Sequence, residues 1–294
     1  MLYHSGHTTR RARSTDLASP ITAETYNPTE AGSRLDGAGP SSSSRLLHLA
    51  ASGNELTSES RMAFWLAPGE DSDGNPAKNT TVLSDHLLRK RVKIGVLGLD
   101  HLIGYDVTFT LPPDEHHTHA VFEALTGYMP ETFSRFWTLA ADGTLHPLDP
   151  GPGEQRDPVI FSTPDGAFAM GVFSPDQPSP GFESSGYGRF AFDWAHVVKW
   201  NCVFRVSDPV NLKPGEYTFH MFVAVGTLVM ITRLVPGFLE RLLQDQKGQI
   251  TVLYCLGAFL GSMIFAWRAM RHVAGTLRDE ASAQQATATE DALT

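Results

Sequence analysis

PVIFSTPDGAFAMGVFSP (158–175), GYGRFAFDW (186–194), VVKWNCVFRV (197–206) and PGEYTFHMFVAVGTL (214–228) are four apolar runs of strand length, separated by Pro, Gly, Ser and Asp. Strands of this length bounded by turn residues mark an antiparallel sheet. The third run alternates. Val198, Trp200, Cys202, Phe204 and Val206 fall on one face, Lys199, Asn201 and Arg205 on the other. The fourth sets Tyr217, Phe219, Met221, Val223 and Val225 against Glu216, Thr218 and His220. Successive side chains of a strand point to opposite faces, so each run offers one face to a core. Trp200 and Phe204 are therefore expected inside, Lys199 and Arg205 outside. Removing the Lys199 side chain should then cost less than about 1 kcal/mol.

Working outward, Ile103, Tyr105, Val107, Phe109 and Leu111 alternate with Gly104, Asp106, Thr108 and Thr110, a half-buried strand ended by Pro112 and Pro113. Residues 82–96 read as a short helix followed by a strand. Ala120–Leu125 reads as a short helix stopping at Gly127. Glu131–Leu139 reads as a second helical turn or an aromatic-rich connection. Residues 1–60 carry no apolar period and are rich in Ser, Thr, Gly, Ala and Pro. Such a segment cannot bury enough apolar surface to offset its ordering entropy, and a disordered N-terminal arm is expected.

Beyond the strands the period changes. Leu228, Ile231, Val235, Phe238, Leu239 and Leu242 share one helical face, interrupted by Pro236. Ile250–Trp267 (ITVLYCLGAFLGSMIFAW) then has no charged residue and is flanked by Lys247, Arg268 and Arg271. A helix of that length nearly crosses a bilayer core of roughly 30 Å. Gly257 and Gly261 lie four apart within it, a spacing that lets two membrane helices approach and self-associate. The expected architecture is mainly β: an antiparallel β-sandwich with short helices over 61–228, then a juxtamembrane amphipathic helix over 229–249. A transmembrane helix over 250–267 and a polar tail over 268–294 complete it. The expected partner is a lipid bilayer, crossed once by a C-terminal anchor.

The net charge of −9 argues against a nucleic-acid footprint, and the cluster Arg89–Arg91 reads as a solvated edge. Two cysteines exclude a disulfide framework, and Cys202 and Cys255 read as small buried hydrophobes. Asn79-Thr80-Thr81 matches a glycosylation acceptor, relevant only in a secretory compartment. His117 and His119 have an i, i+2 spacing used by some metal sites, but with His116 and no third ligand they read as a polar loop; neither metal nor cofactor is expected. Asp106, Glu123, Asp165, Asp176 and Glu216 are candidate acids or bases, each more simply read as a turn or surface residue. The polar sheet face is more informative. Lys199, Asn201, Arg205, Thr218 and His220 lie on strands expected to be neighbours. With Tyr187 and Trp194 from the connecting segment they could hydrogen-bond and stack a sugar. A plain solvent-facing sheet has the same pattern.

The blocks DGAFAMGVFSP, GYGRFAFDW, VVKWNCVFRV and PGEYTFHMFVAVGTL resemble the β-sandwich portions of proteins from secreted polysaccharide-processing systems, over Ile103–Leu228. That resemblance implies a large antiparallel sandwich of the sort that carries sugar-binding or sugar-modifying sites. The expected function is a membrane-anchored binding domain with carbohydrate as ligand. Its rivals are a carbohydrate-active enzyme using a carboxylate or His on the polar face, and a structural subunit of a membrane complex.

Overall fold

The computed structural model describes residues 24–36, 40–140, 142–175, 186–208 and 210–235, and the backbone of Leu2–Gly6. In chain order the strands are β1 (Leu2–Gly6), β2 (Pro28–Thr29), β3 (Arg45–Ser52), β4 (Glu55–Phe64), β5 (Asp71–Ser72), β6 (Asn75–Pro76), β7 (Leu83–Val96), β8 (Leu99–Leu111) and β9 (His119–Pro130). They continue with β10 (Arg135–Leu139), β11 (Leu145–Leu148), β12 (Gly153–Gln155), β13 (Val159–Ser162), β14 (Ala169–Phe173), β15 (Tyr187–Phe192), β16 (Val197–Ser207) and β17 (Gly215–Gly226). One antiparallel sheet runs β11-β10-β13-β14-β17-β8-β7-β4-β2-β1-β9-β16-β15-β12, with β3 attached to β4. The short β5–β6 pair stands apart.

This sheet doubles over on itself. Phe109 of β8 lies 5.1 Å from Phe122 of β9, and Phe219 of β17 lies 4.2 Å from Phe204 of β16. Strands far apart in the sheet order thus share one core, joined by Val107, Ala120, Trp200 and Met221. The alternation in 197–206 and 103–111 is what supplies its inward face. Burying each of these large side chains contributes roughly 1.5–3 kcal/mol.

Four expectations about secondary structure need correction. Residues 120–125 and 135–139 are strand, in β9 and β10, and 83–96 is strand throughout. In β9 the cause is a bulge: Cys202 pairs with Leu125, but the next residue, Val203, pairs with Glu123. The extra residue, Ala124, breaks the two-residue period, so a strand reads locally as helix. The described helix is residues 228–235, where the Thr227 hydroxyl accepts the Met230 N–H at 3.2 Å as an N-cap and Ile231 and Val235 are buried.

The fourth correction concerns the N-terminal stretch. Residues 45–52 and 55–64 form β3 and β4, so 45–52 and 55–60 are strand within the span expected to be disordered. Every residue of β3 is exposed. Its order comes from the backbone ladder to β4 rather than from an apolar face, which is why hydrophobic periodicity did not reveal it.

Among the described residues no helix is long and apolar enough to cross a membrane. The expected span 250–267, Gly257, Gly261, Cys255, the rest of the 229–249 helix beyond Val235 and the tail 268–294 all lie outside the described residues.

Candidate functional site: the outer face of β9, β16 and β15

The face of β16 turned away from the core carries Lys199, Asn201 and Arg205. Register sets Lys199 beside Tyr128 and Phe190, and Asn201 beside Thr126 and Gly188. The bulge at Ala124 decides what else joins them. It shifts the phase of β9 so that Glu123, Thr126 and Tyr128 all point to this face while Phe122, Leu125 and Met129 stay in the core.

The result is a compact polar cluster. One carboxylate oxygen of Glu123 accepts from Lys199 Nζ at 2.7 Å, Asn201 Nδ2 at 2.7 Å and Thr126 Oγ1 at 3.2 Å. Asn201 Oδ1 accepts the Gly188 N–H at 2.9 Å. A Cβ at residue 188 would fall 2.3 Å from that oxygen, so only glycine lets β15 approach this closely. Glu123 is 3% exposed and Lys199 7%. Lys199 is therefore not the solvent-facing residue that alternation alone implies: both faces of β16 are covered at this point. Charges this deep persist because they are paired and hydrogen-bonded.

A row of aromatic rings rims the cluster. Lys199 Nζ lies 5.7 Å from the Tyr128 ring centroid and 5.2 Å from that of Phe190. Phe190 stacks parallel to Phe192, and Phe192 meets Trp194 in the turn 193–195. Tyr128 and Trp194 are exposed, at 61% and 85%. Lower on the same face Arg205 grips Glu154 of β12 through two hydrogen bonds of 2.6 and 2.7 Å. His119 bonds the Ser207 hydroxyl at 2.7 Å, and burial, reinforced by the Arg205 charge, depresses its pKa to about 4. Glu24 lies close enough to feel both charges of the cluster. Its pKa is raised, first by burial and then by Glu123, with Lys199 opposing.

Of the residues singled out from sequence, Lys199, Asn201, Arg205 and Trp194 lie on or beside this face. Tyr187 does not: it is buried in the core and its hydroxyl accepts the Ser174 N–H at 2.8 Å. His220 and Thr218 do not either. β17 pairs with β14 and β8, not with β16, so consecutive strands lie in opposite layers. His220 sits half-exposed 4.0 Å from Asp106, and Thr218 bonds Thr108. Sequence reasoning set Glu123 aside as a turn or surface residue and passed over Thr126, Tyr128 and Phe190; only the phase shift at Ala124 brings the first three to this face.

Elsewhere the polar residues have structural partners. Arg89 pairs with Glu59 and Glu216, Lys90 with Glu30, and Arg91 with Glu55, so the basic cluster is matched by carboxylates. The Asn79 amide is buried and donates to the Leu66 and Thr81 carbonyls at 3.0 and 2.9 Å, which occupies the nitrogen a glycan would need.

A second polar group lies where β7 meets the loop before β9. Glu115 Oε2 is 2.7 Å from His117 Nε2 and 3.3 Å from His86 Nε2. Burial acts to raise the Glu115 pKa, but the His117 hydrogen bond, the His86 charge and the Tyr26 hydroxyl outweigh it and leave the carboxyl below its ordinary value. Among the described residues these three could together hold a metal ion. The sequence offered only His117; the second imidazole comes from 31 positions upstream on β7.

A doubled antiparallel sheet bearing a buried ion pair rimmed by exposed aromatic rings is the class of protein that fold and face define. No family model and no curated protein matches the sequence. Among solved structures, the α-galactosidase from Lactobacillus brevis is similar with a TM-score of 0.35 and 11% identity, over 63% of this chain and 26% of that one. The Slr1438 protein from Synechocystis sp. PCC 6803 is similar with a TM-score of 0.35 and 11% identity, over 63% of this chain and 66% of that one. The galactosidase domain of an α-galactosidase-sucrose kinase, AgaSK, gives 0.33 and 10%, over 62% and 25%. The chain thus spans about a quarter of the two galactosidase chains and just under two thirds of Slr1438. Scores this low carry nothing about substrate, and the functional reading rests on the residues of the face.

Proposed function

We propose that the protein binds carbohydrate on the outer face of β9, β16 and β15. The observation that carries this is the exposed pair Tyr128 and Trp194 beside Lys199, Tyr128 on one side of its ammonium and, on the other, the row Phe190, Phe192 and Trp194. Large rings held in water on a sheet face gain free energy when a partner covers them. A sugar ring suits them because its C–H face packs on an aromatic plane while its hydroxyls reach polar groups at the rim. Arg205 and Glu154 offer partly exposed polar groups on this face. Glycan-array screening followed by calorimetry tests the reading. Tyr128→Ala and Trp194→Ala should each weaken binding about tenfold or more, in line with the 1–3 kcal/mol such ring contacts carry elsewhere, while leaving stability within about 0.5 kcal/mol because both rings are exposed. Unchanged affinity in the double variant would remove the face from consideration.

A second reading adds turnover. Glu24 is a carboxyl pushed up by burial and by the nearby Glu123 charge, and Glu123 itself is ion-paired with Lys199. A carboxyl raised in this way can serve as the acid in sugar chemistry. Product formation from a bound glycan, lost in Glu24→Gln, distinguishes enzyme from binder.

Anchoring of this domain to a membrane belongs to the same proposal. It is supported by the uncharged span 250–267 and the arginines that follow it. The full chain should resist alkaline carbonate extraction and a chain ending at Gln246 should not. Extraction of the full chain into the soluble fraction would rule the anchor out.

A further inference from the structure

We propose that His86, Glu115 and His117 form a binding site for a divalent transition-metal ion, zinc foremost. The site is separate from the sugar-binding face and independent of that reading. Its donors come from two elements: His86 from β7, Glu115 and His117 from the loop leading into β9. The ligand atoms lie within 4.8 Å of one another, and Glu115 Oε2 stands between the two Nε2 atoms. The imidazole planes are tilted by 61° with centroids 6.0 Å apart, and the Nε2 atoms of both rings approach the same Glu115 oxygen.

Zinc takes imidazole nitrogen and carboxylate oxygen at about 2.0–2.2 Å, which in a tetrahedron sets the donors roughly 3.3–3.6 Å apart. The His86–Glu115 separation of 3.3 Å already meets this, and the His117–Glu115 contact of 2.7 Å need only open by less than an ångström. Two neutral imidazoles and one carboxylate are a ligand set of zinc sites with a further position left for water or another group. Both histidines are only 1% exposed, so their rings are fixed by packing before any ion arrives. Tyr26 and Phe64 pack on the His86 ring, and the Tyr26 hydroxyl hydrogen-bonds the Glu115 carboxylate. An outer hydrogen bond of this kind orients a ligating carboxylate. The plainer alternative is a hydrogen-bonded Glu–His pair with no ion.

Metal-free full-length protein titrated with Zn²⁺ should take up one equivalent and melt at a higher temperature. Co²⁺ should give the visible bands of a four- or five-coordinate site, and long-range ¹⁵N NMR should place the ion on Nε2 of two imidazoles. His86→Gln and His117→Gln should each abolish retention of the ion through gel filtration. Tyr26→Phe should weaken it about ten- to a hundredfold. His116→Gln, at an exposed neighbouring imidazole, should change nothing. The Co²⁺ spectrum and the NMR use the unsubstituted protein, so they decide the matter even if a variant fails to fold. Absence of both signals, or zinc uptake that survives loss of His86 and His117, overturns the site.

Discussion

Replacing Trp200 with alanine is expected to remove about 3–5 kcal/mol of stability, the range for deleting a large buried aromatic side chain. Trp200 is 1% exposed on β16, and the core is built round it. Its indole lies against the backbone of Gly127 on the neighbouring strand: a Cβ at 127 would fall 2.3 Å from Trp200 Cζ2. Gly127→Ala should therefore also destabilise, because neither the packed indole nor the ladder can move aside. In the Trp200→Ala background the same change should cost far less, since the atom it would strike is gone. This non-additivity, read from urea unfolding of the two single variants and the double, tests the contact itself. Additive effects would mean that the ring does not rest on Gly127. Trp200→Phe is expected to be milder than Trp200→Ala. The indole N–H has no acceptor among the described residues, so its loss removes a buried, unsatisfied donor while much of the packing is kept.

Lys199→Ala is the second large effect, also about 3–5 kcal/mol, and here the reason is electrostatic. The substitution takes the Lys199 ammonium away from a Glu123 carboxylate that stays buried, with the Asn201 and Thr126 hydrogen bonds left in place. Reading 197–206 as a strand with one wet face predicts a loss below about 1 kcal/mol instead, so the measurement separates the two descriptions of β16. Pairing Lys199→Met with Glu123→Gln removes both charges and should recover most of the loss, because a missing ion pair costs much less than half of one. A Lys199→Ala variant that unfolds within about 0.5 kcal/mol of the parent would show that this face is open to water.

The two positions mark where local pattern stops informing. Trp200 and Lys199 are adjacent, and alternation assigns them correctly to opposite faces. It does not say that the second face is covered. That depends on β15 and on the bulge in β9, the one distant in sequence from β9 and the other irregular in period. The same limit explains Glu123, which reads as a turn or surface residue until its strand's register is known. It also explains His86, whose partners Glu115 and His117 arrive only when β7 and the β9 loop meet.

By itself the sequence determined that this is an antiparallel β protein. It identified strand runs in 103–111, 197–206 and 214–228 and showed which of their residues face a core. Those features follow from a two-residue period and from turn residues, and both are local properties of the chain. Tertiary structure alone decided which strands are neighbours: that β16 lies beside β9 and β15 while β17, the next strand, lies beside β8 and β14 in the opposite layer. It alone ordered β3 through a backbone ladder with no apolar face to announce it. And it alone brought Glu123 to Lys199, because strand pairing is a contest among long-range contacts and one extra residue in a strand reverses the face of everything beyond it.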